Sequence, residues 1–519
     1  MAQVDYSLYL VTDSTMIPES STFLKQVEAA IENGATLVQL REKSISTLDF
    51  VDRAKQVHEL TKKKGIPLII NDRIDVALAI DAEGVHIGQD DMPATLARKL
   101  LGPNKILGVT CSTPEEVKVV VTESVADYVG LGTVYQTNTK KDVTDPEGTG
   151  PLGIRKMLRV LGDYNSTATR QIRSVAIGGI NHSNADKVLT QCQVGSHKLD
   201  GVAIVSCIMA AEDAAKATRD LLHVIKNPPA WTRGVSHGTN NAVLRTKVIE
   251  LAEEKPLVHH ITNNVVKNFS ANVTLAIGAS PIMSELPEEF EEFASGIPNI
   301  ALVLNLGTPS ESLMKIFKHA LQVYNKYGKH VVFDPVACGA SKARLQCTKA
   351  LLNAGQMSVI KGNLGEIMAI RKLSSTYTPP ASSSNGGDMR GVDSIAKLTE
   401  PEILSLAYEV ARDFQAVVVI TGEMNYVVDA YGSSVRVKGG NRLMGYITGT
   451  GCSLGSTIAA FLAAKADGSG DGDFYIFDAV VGALEVYNSA GYDAAQHAST
   501  PGSFMTQFID NLYEHTSTY

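Results

Sequence analysis

The sequence predicts an α/β protein of two units, an N-terminal (β/α)8 barrel followed by a second α/β domain with a mostly parallel sheet. Three observations carry this expectation. Short apolar runs alternate with helical stretches eight times before residue 226, the rhythm of parallel strands with helices outside them. The stretch 227–241, with Pro228, Pro229, Gly234, Gly238 and the chain's single tryptophan, Trp231, then breaks all periodicity. Strand and helix patterns resume from 242 to 519. At 519 residues the chain is longer than one hydrophobic core sustains, so the expected domains are 1–226 and 242–519 with a linker at 227–241.

The barrel strands are expected at 6–12, 36–40, 67–70, 84–87, 106–109, 128–131, 174–177 and 201–205. Several are continuous apolar runs, as parallel strands covered on both faces require. Amphipathic stretches such as 46–63 and 114–125 read as helices; the second opens with Ser112 and Thr113 as caps and Glu115-Glu116 in its first turn. The run 210–225 reads as the last helix of this half. An open doubly wound sheet is the alternative, but no G-x-G-x-x-G follows a strand, which favours the barrel. In the second half a helix at 242–254 precedes strands at 300–304, 330–333, 359–360, 416–420 and 426–429. The segment 374–394, rich in Ser, Pro and Gly, reads as an inserted loop.

Hydrophobic content of 44% and charged content of 20% are those of a folded protein. A net charge of −8 and the lack of a dense basic run argue against a nucleic-acid partner. The six cysteines form no C-x-x-C pair, no secretory start is evident, and no apolar run has membrane length. A cytoplasmic protein with reduced thiols and no membrane association is therefore expected.

A barrel gathers the C-terminal ends of its strands onto one face, and polar residues follow seven consecutive strands here. Gln39 to Lys43 follow the second, Asn71 and Asp72 the third, Asp91 the fourth and Thr110 the fifth. Thr137 to Asp142 follow the sixth, Gly178-Gly179 the seventh and Ser206 the eighth. An ordinary surface loop explains any one of these, but not seven in succession. Asp72 and Asp91 are hard oxygen donors suited to Mg2+. Arg41, Lys43 and Lys140 supply cations for phosphate, and Thr137 and Thr139 supply hydroxyls. Gly179 and Val205-Ser206 stand where barrels often hold a phosphate. His86 reads as a packed histidine at a strand end and is left outside the site, as are Cys111, Cys192 and Cys207.

The motifs Gln-Leu-Arg-Glu-Lys at 39–43, Asn71-Asp72, Val85-His-Ile-Gly-Gln-Asp-Asp91, Asp127-Tyr-Val-Gly-Leu-Gly132, Tyr135-Gln-Thr-Asn-Thr-Lys-Lys-Asp142 and Ala176-Ile-Gly-Gly-Ile180 together resemble thiamine-phosphate synthase. The resemblance spans nearly the whole first half. It implies condensation of aminomethylpyrimidine diphosphate with thiazole phosphate, giving thiamine phosphate and pyrophosphate. It further implies that Gln39, Leu40, Arg41, Glu42, Lys43, Asn71, Thr110 and Lys140 hold the pyrimidine diphosphate, and that Asp72 and Asp91 hold Mg2+. Thr137, Asn138, Thr139, Gly179, Val205 and Ser206 are then the residues for thiazole phosphate. Thr110 stands where relatives often carry serine, and a hydroxyl is kept. The implied mechanism is dissociative and needs no protein nucleophile.

In the second half no Walker loop occurs, yet two features suit phosphoryl transfer. Met444-Gly-Tyr-Ile-Thr-Gly-Thr-Gly-Cys452 precedes an apolar helix-like run at 453–464, which offers backbone N–H groups to an anion. Lys361-Gly-Asn-Leu-Gly-Glu366 follows a strand, where Glu366 is placed to orient hydrated Mg2+. His259-His260 invites a metal reading, but no further His/Cys cluster supports zinc. With Asn263-Asn-Val-Val-Lys-Asn268, Ala279-Ser-Pro-Ile-Met-Ser284, Asn305-Leu-Gly-Thr308, Phe333-Asp-Pro-Val336 and Thr421-Gly422, these features resemble hydroxyethylthiazole kinase, whose fold is ribokinase-like. The resemblance implies ATP-dependent phosphorylation of the thiazole alcohol. Met283 and Gly449 would contact the thiazole, Arg344 and Thr421 the ATP, and Cys452 would be the base. A helix N-terminus is expected to lower the Cys452 thiol's pKa; a purely structural Cys452 is the alternative.

Together the halves resemble bifunctional thiamine biosynthesis enzymes of the fungal type, in which the kinase supplies the barrel's substrate. The implied partners are small molecules, with Mg2+ as cofactor, and a homo-oligomer, trimer or hexamer, follows from the resemblance. A non-catalytic ligand sensor, or a chain with one active half, is the alternative. The linker carries Arg233 and His237 but no charged track, so release and recapture of the intermediate is expected.

Overall fold

The computed structural model describes residues 4–137, 148–227, 251, 253–374, 377, 389–390, 393–394, 398–464 and 476–517. The chain divides into two compact units, Met1–Pro229 and Ala230–Tyr519. Asn138, Thr139 and Lys140, with nearly all of 227–241, 242–254 and 374–394, lie outside the described residues. Among the described residues no helix is long and apolar enough to cross a membrane.

The first unit is a closed barrel of eight parallel strands: Leu8–Val11, Leu37–Leu40, Leu68–Asn71, Gly84–Ile87, Ile106–Cys111, Tyr128–Gly132, Arg173–Ile177 and Gly201–Ile204. Each expected strand is present, and the open-sheet alternative falls because Leu8–Val11 pairs with Gly201–Ile204 and closes the ring. Of the two expected caps, Thr113 is the N-cap, accepting the Glu116 N–H; Ser46 caps an earlier helix, accepting that of Asp49. The last helix is shorter than expected. It starts at Ala214, because the Asp213 side chain caps it by accepting the Lys216 N–H, and Ser206–Met209 forms a separate turn of helix.

Strand alternation decides what faces the barrel interior. Tyr9, Val11, Leu37, Ile69, Ile106, Tyr128, Val175 and Ala203 form the inner cluster. Their neighbours Leu10, Val38, Leu40, Ile70, Leu107, Val129 and Val202 belong to the core shared with the helices. Inward positions that carry glycine make room for large neighbours. A Cβ on Gly108 would lie 2.2 Å from the Tyr128 ring, and one on Gly130 would lie 3.2 Å from His86.

The second unit is built on an eight-stranded sheet in the order Ser280–Ile282, Leu257–Ile261, Ile300–Asn305, His330–Asp334, Val359–Asn363, Val417–Thr421, Met424–Val428, Ser434–Lys438. The first six strands are parallel and the last two are antiparallel additions. One face, with Val258, Ala301, Val303, Val332 and Val419, packs on the helices Lys267–Ala276, Thr450–Ala463, Ile476–His497 and Pro501–Ser517. Alternation turns Leu302, Phe333, Ile360 and Val418 to the other face, where Glu311–Lys326, Leu364–Arg371 and Glu400–Phe414 lie against the strands.

Gly108→Ala should overpack the barrel at the Tyr128 ring and destabilise the first unit by about 1–3 kcal/mol. Denaturant unfolding followed by activity of the barrel measures this; an unchanged midpoint would contradict the packing described.

Candidate active sites at the strand ends

The polar residues expected at the barrel's C-terminal face are brought together by the strands that carry them. Gln39 and Asn71 occupy the last inward positions of the second and third strands, and both are buried. Gln39 Nε2 donates to Tyr9 Oη at 2.8 Å. The Asn71 side-chain amide is buried with its Nδ2 unpaired among the described residues, a donor available to a ligand. Asp72 follows in the left-handed region, φ 63, fixed by its N–H donating to the His86 carbonyl at 2.8 Å. Its carboxylate pairs with Lys43. Asp91 accepts the Gly88 N–H at 2.7 Å. Burial, and then the neighbouring Asp72 carboxylate, push its pKa up. Two acids and an ammonium therefore meet at one edge of the mouth.

Other members of the 39–43 run are used differently. Leu40 points outward into the core beneath the helices, so only its backbone is available to a ligand. Glu42 is buried and already accepts from Arg53 at 2.5 Å and from Ser14 at 2.8 Å. Arg41 is held by Asp13 at 3.2 Å, with its backbone N–H on Thr12 Oγ1. The pair Glu42–Arg53 shapes the loop, and Arg41 with Lys43 supplies the positive charge. Gly178 and Gly179 both have positive φ, and a Cβ on Gly179 would lie 2.7 Å from the Gln136 carbonyl. They bring the end of the seventh strand against 133–136, the segment leading to Thr137. Val205 and Ser206 follow the neighbouring eighth strand. His86 is buried with Nδ1 2.9 Å from Tyr128 Oη and Nε2 2.8 Å from Thr110 Oγ1.

In the second unit the parallel strands end on Asn305, Asp334, Asn363 and Thr421, with Asn263 two residues past another. Asn263 donates to Asn305 at 2.9 Å, and Asn305 donates to Asp334 at 2.9 Å. Lys361 Nζ, fully buried, donates to Asp334 Oδ2 at 3.0 Å and to the Gly451 carbonyl at 2.7 Å. It thereby ties the strand ends to the start of helix Thr450–Ala463. Among the described residues no side chain caps that helix, and Gly449 precedes it with φ 104. Its first N–H groups, those of Gly451 and Cys452 among them, are thus left for an anion. A Cβ on Gly449 would lie 3.0 Å from the Phe269 ring.

Burial pushes Asp334 up, and Lys361 and Asn305 pull it part of the way back. Its Oδ1 is buried without a partner among the described residues. Glu366 closes a capping box with Asn363, accepting the Ala337 and Asn363 N–H groups at 2.8 and 2.7 Å. Burial and then Asp334 raise its pKa to about 7.

One expectation is corrected here. The Cys452 thiol is not lowered by the helix N-terminus: burial first, then the Asp334 charge, push it up to about 12. The Arg344 guanidinium donates to the carbonyls of Leu306, Val336 and Gly307 at 3.1, 3.0 and 2.9 Å, three of its five N–H groups. Met283 and Thr421 stand half-buried at the ends of their strands. Asp334, Lys361 and Asn305 were given no separate role from sequence; the signal lay in a polar residue closing each apolar run. His259 and His260 are built into the core. His259 bonds Tyr324 Oη at 2.8 Å and the Ser284 carbonyl at 2.9 Å, and His260 lies 2.9 Å from Ser456 Oγ.

Residues 248–518 match the Hydroxyethylthiazole kinase family, and residues 8–208 match Thiamine monophosphate synthase. The "Thiamine biosynthetic bifunctional enzyme" of Saccharomyces cerevisiae is 42% identical over 541 residues, 99% of this chain and 96% of its own. The "Probable thiamine biosynthetic bifunctional enzyme" of Schizosaccharomyces pombe is 40% identical over 524 residues, 99% of this chain and 95% of its own. The "Thiamine-phosphate synthase" of Clostridium novyi is 44% identical over 221 residues, 43% of this chain and 99% of its own. Fold, strand ends and relatives define a two-part transferase, a synthase barrel joined to an ATP-using kinase. The chain belongs to the family of bifunctional thiamine biosynthetic enzymes, with thiamine-phosphate synthase in its first half and hydroxyethylthiazole kinase in its second.

Burial, and then His259, lower the His260 pKa from its ordinary 6.5 to about 4. Its neutral form belongs to the folded state, so stability is lost as pH falls through this window, by on the order of 3 kcal/mol at pH 4. Replacing His260 by Gln should flatten this part of the pH–stability curve of the second unit. Parallel curves for the two proteins would contradict the assignment.

Proposed function

We propose that each unit carries a complete site at its strand ends, the kinase phosphorylating the thiazole alcohol and the barrel coupling its product to the pyrimidine diphosphate. The observation that carries the synthase reading is the unpaired buried amide of Asn71 beside Asp72, Asp91 and Lys43. Gln39, Asn71 and Thr110 orient the pyrimidine, and Arg41, Lys43 and Lys140 hold its diphosphate. Thr137, Asn138, Thr139, Gly179, Val205 and Ser206 hold the thiazole phosphate.

The residues fit Mg2+ in both units. In the barrel, Asp72 and Asp91 are crowded carboxylates whose mutual repulsion a divalent cation relieves, and two carboxylates with phosphate oxygens are a usual Mg2+ set. In the kinase, the unpaired Asp334 Oδ1 beside Glu366 is the corresponding donor. Bound Mg2+ would supply charge neutralisation at the phosphate oxygens. In the barrel, Arg41 and Lys43 stabilise the leaving pyrophosphate by electrostatics. In the kinase, the N-terminus of Thr450–Ala463 receives the phosphoryl charge, while Lys361 keeps Gly451 and Asp334 in register.

Cys452 is the proton acceptor of the first reading. A second reading gives the proton to Asp334, whose carboxylate is held beside the thiol by Lys361 and Asn305. The exposed apolar side chains of Leu286 and Tyr446 flank Met283 and Gly449 in sequence. They support the homo-oligomer, trimer or hexamer, and the cytosolic setting belongs to the same reading.

Asp91→Ala should lower coupling turnover by roughly a hundredfold or more while leaving kinase turnover intact. Wild-type coupling at saturating Mg2+ would overturn the synthase assignment. Cys452→Ala should lower kinase turnover by about 10²–10⁴ if the thiol is the base, with ATP binding by calorimetry unchanged. A loss below threefold, with Asp334→Asn inactive, assigns the proton to Asp334.

A further inference from the structure

A barrel interior is ordinarily filled with branched apolar side chains. Here a file of polar groups crosses it. Gln39 Nε2 donates to Tyr9 Oη at 2.8 Å, Tyr9 Oη meets Tyr128 Oη at 2.7 Å, and Tyr128 Oη meets His86 Nδ1 at 2.9 Å. His86 Nε2 then meets Thr110 Oγ1 at 2.8 Å. Tyr9 is 1% exposed and Tyr128 0%, so each hydroxyl must be satisfied within the protein. The file runs from the second strand to the fifth, by way of side chains from the first, sixth and fourth. Space for it is provided by neighbouring strands, since a Cβ on Gly108 would strike the Tyr128 ring and one on Gly130 would crowd His86.

The order of protons along the file follows from one end. Because Gln39 donates to Tyr9, the Tyr9 hydroxyl proton goes to Tyr128. The Tyr128 proton goes in turn to His86 Nδ1. A histidine that accepts at Nδ1 carries its proton on Nε2, and Nε2–H donates to Thr110 Oγ1. Gln39 Oε1 is then an acceptor at one end of the pocket, and the Thr110 hydroxyl proton is a donor at the other. Turning over either end requires every proton between them to reverse.

We propose that Tyr9, Tyr128 and His86 are positioning residues of the synthase, a cross-barrel relay that fixes the amide orientation of Gln39 and the hydroxyl direction of Thr110 for the pyrimidine. This rests on the reading of Gln39 and Thr110 as pyrimidine-binding residues. None of the three touches the reacting atoms; they act through the two that meet the ring. The relay discriminates by preorganisation, presenting one acceptor and one donor to a heteroaromatic edge that carries the complementary pair.

The test uses the full chain, whose kinase turnover serves as an internal standard for protein concentration. Tyr128→Phe and Tyr9→Phe remove one hydroxyl each and keep the ring. Each should raise the KM for the pyrimidine diphosphate about tenfold, the size of one misdirected hydrogen bond, with the KM for thiazole phosphate within twofold of wild type. A general loss of barrel structure would move both constants together and overturn the proposal. Should Tyr128→Phe fail to fold, Tyr9→Phe breaks the same file with the Tyr128 ring in place. Combining either with Gln39→Ala should raise the pyrimidine KM by less than the product of the two single effects, because both variants act in part on the Gln39 contact. A wild-type pyrimidine KM in both Phe variants, with Gln39→Ala impaired, overturns the relay. An unimpaired Gln39→Ala overturns the underlying site reading instead.

Discussion

A parallel strand covered on both faces has no water along its length, so polar side chains are tolerated only where it stops or where a buried partner satisfies them. This constraint orders both units. In the barrel it puts Gln39, Asn71 and Thr110 at the last inward positions of their strands. In the second unit it puts Asn305, Asp334, Asn363 and Thr421 along one edge of the sheet. Each set converges because parallel strands share a direction, and the two chemistries use the same architectural consequence on different sheets.

Convergence alone leaves side chains free to choose among rotamers, and the buried interactions behind each edge remove that freedom. Lys361 and Asp334 are both buried, and such a pair is costly to desolvate and more costly to break, about 3–5 kcal/mol when one partner is removed. Lys361 also holds the Gly451 carbonyl, so the charge that steadies Asp334 also sets where helix Thr450–Ala463 begins. The phenols inside the barrel do comparable work for Gln39 and Thr110 without any charge.

The strands and their polar ends were legible in the sequence because a continuous apolar run closed by Asn, Asp or Thr is a local pattern. What was not legible depends on three-dimensional neighbours. Leu40 and Glu42 sit inside a matching motif, yet alternation turns Leu40 to the outer core and Arg53 occupies Glu42. Arg344 has the chemistry for ATP, but the three carbonyls that fix its guanidinium come from the fold. A helix start favours the Cys452 thiolate, but burial beside Asp334 outweighs it and pushes the thiol up. The short strand Ser280–Ile282, with Pro281 inside it, and the edge strand Ser434–Lys438, with charges on alternate residues, lacked the apolar run that marked the others. The relay through Tyr9 and Tyr128 joins residues 119 apart, beyond any local pattern.

The central claim is that each unit holds a complete site and passes its product through solution. Mixing equal amounts of Asp91→Ala and Asp334→Asn chains, supplied with thiazole alcohol, ATP and the pyrimidine diphosphate, tests it directly. The mixture should form thiamine phosphate after a lag, at a rate approaching that of half the wild-type protein, while each variant alone forms almost none. A mixture as inactive as its components, with each chain's other activity intact in separate assays, would contradict the account.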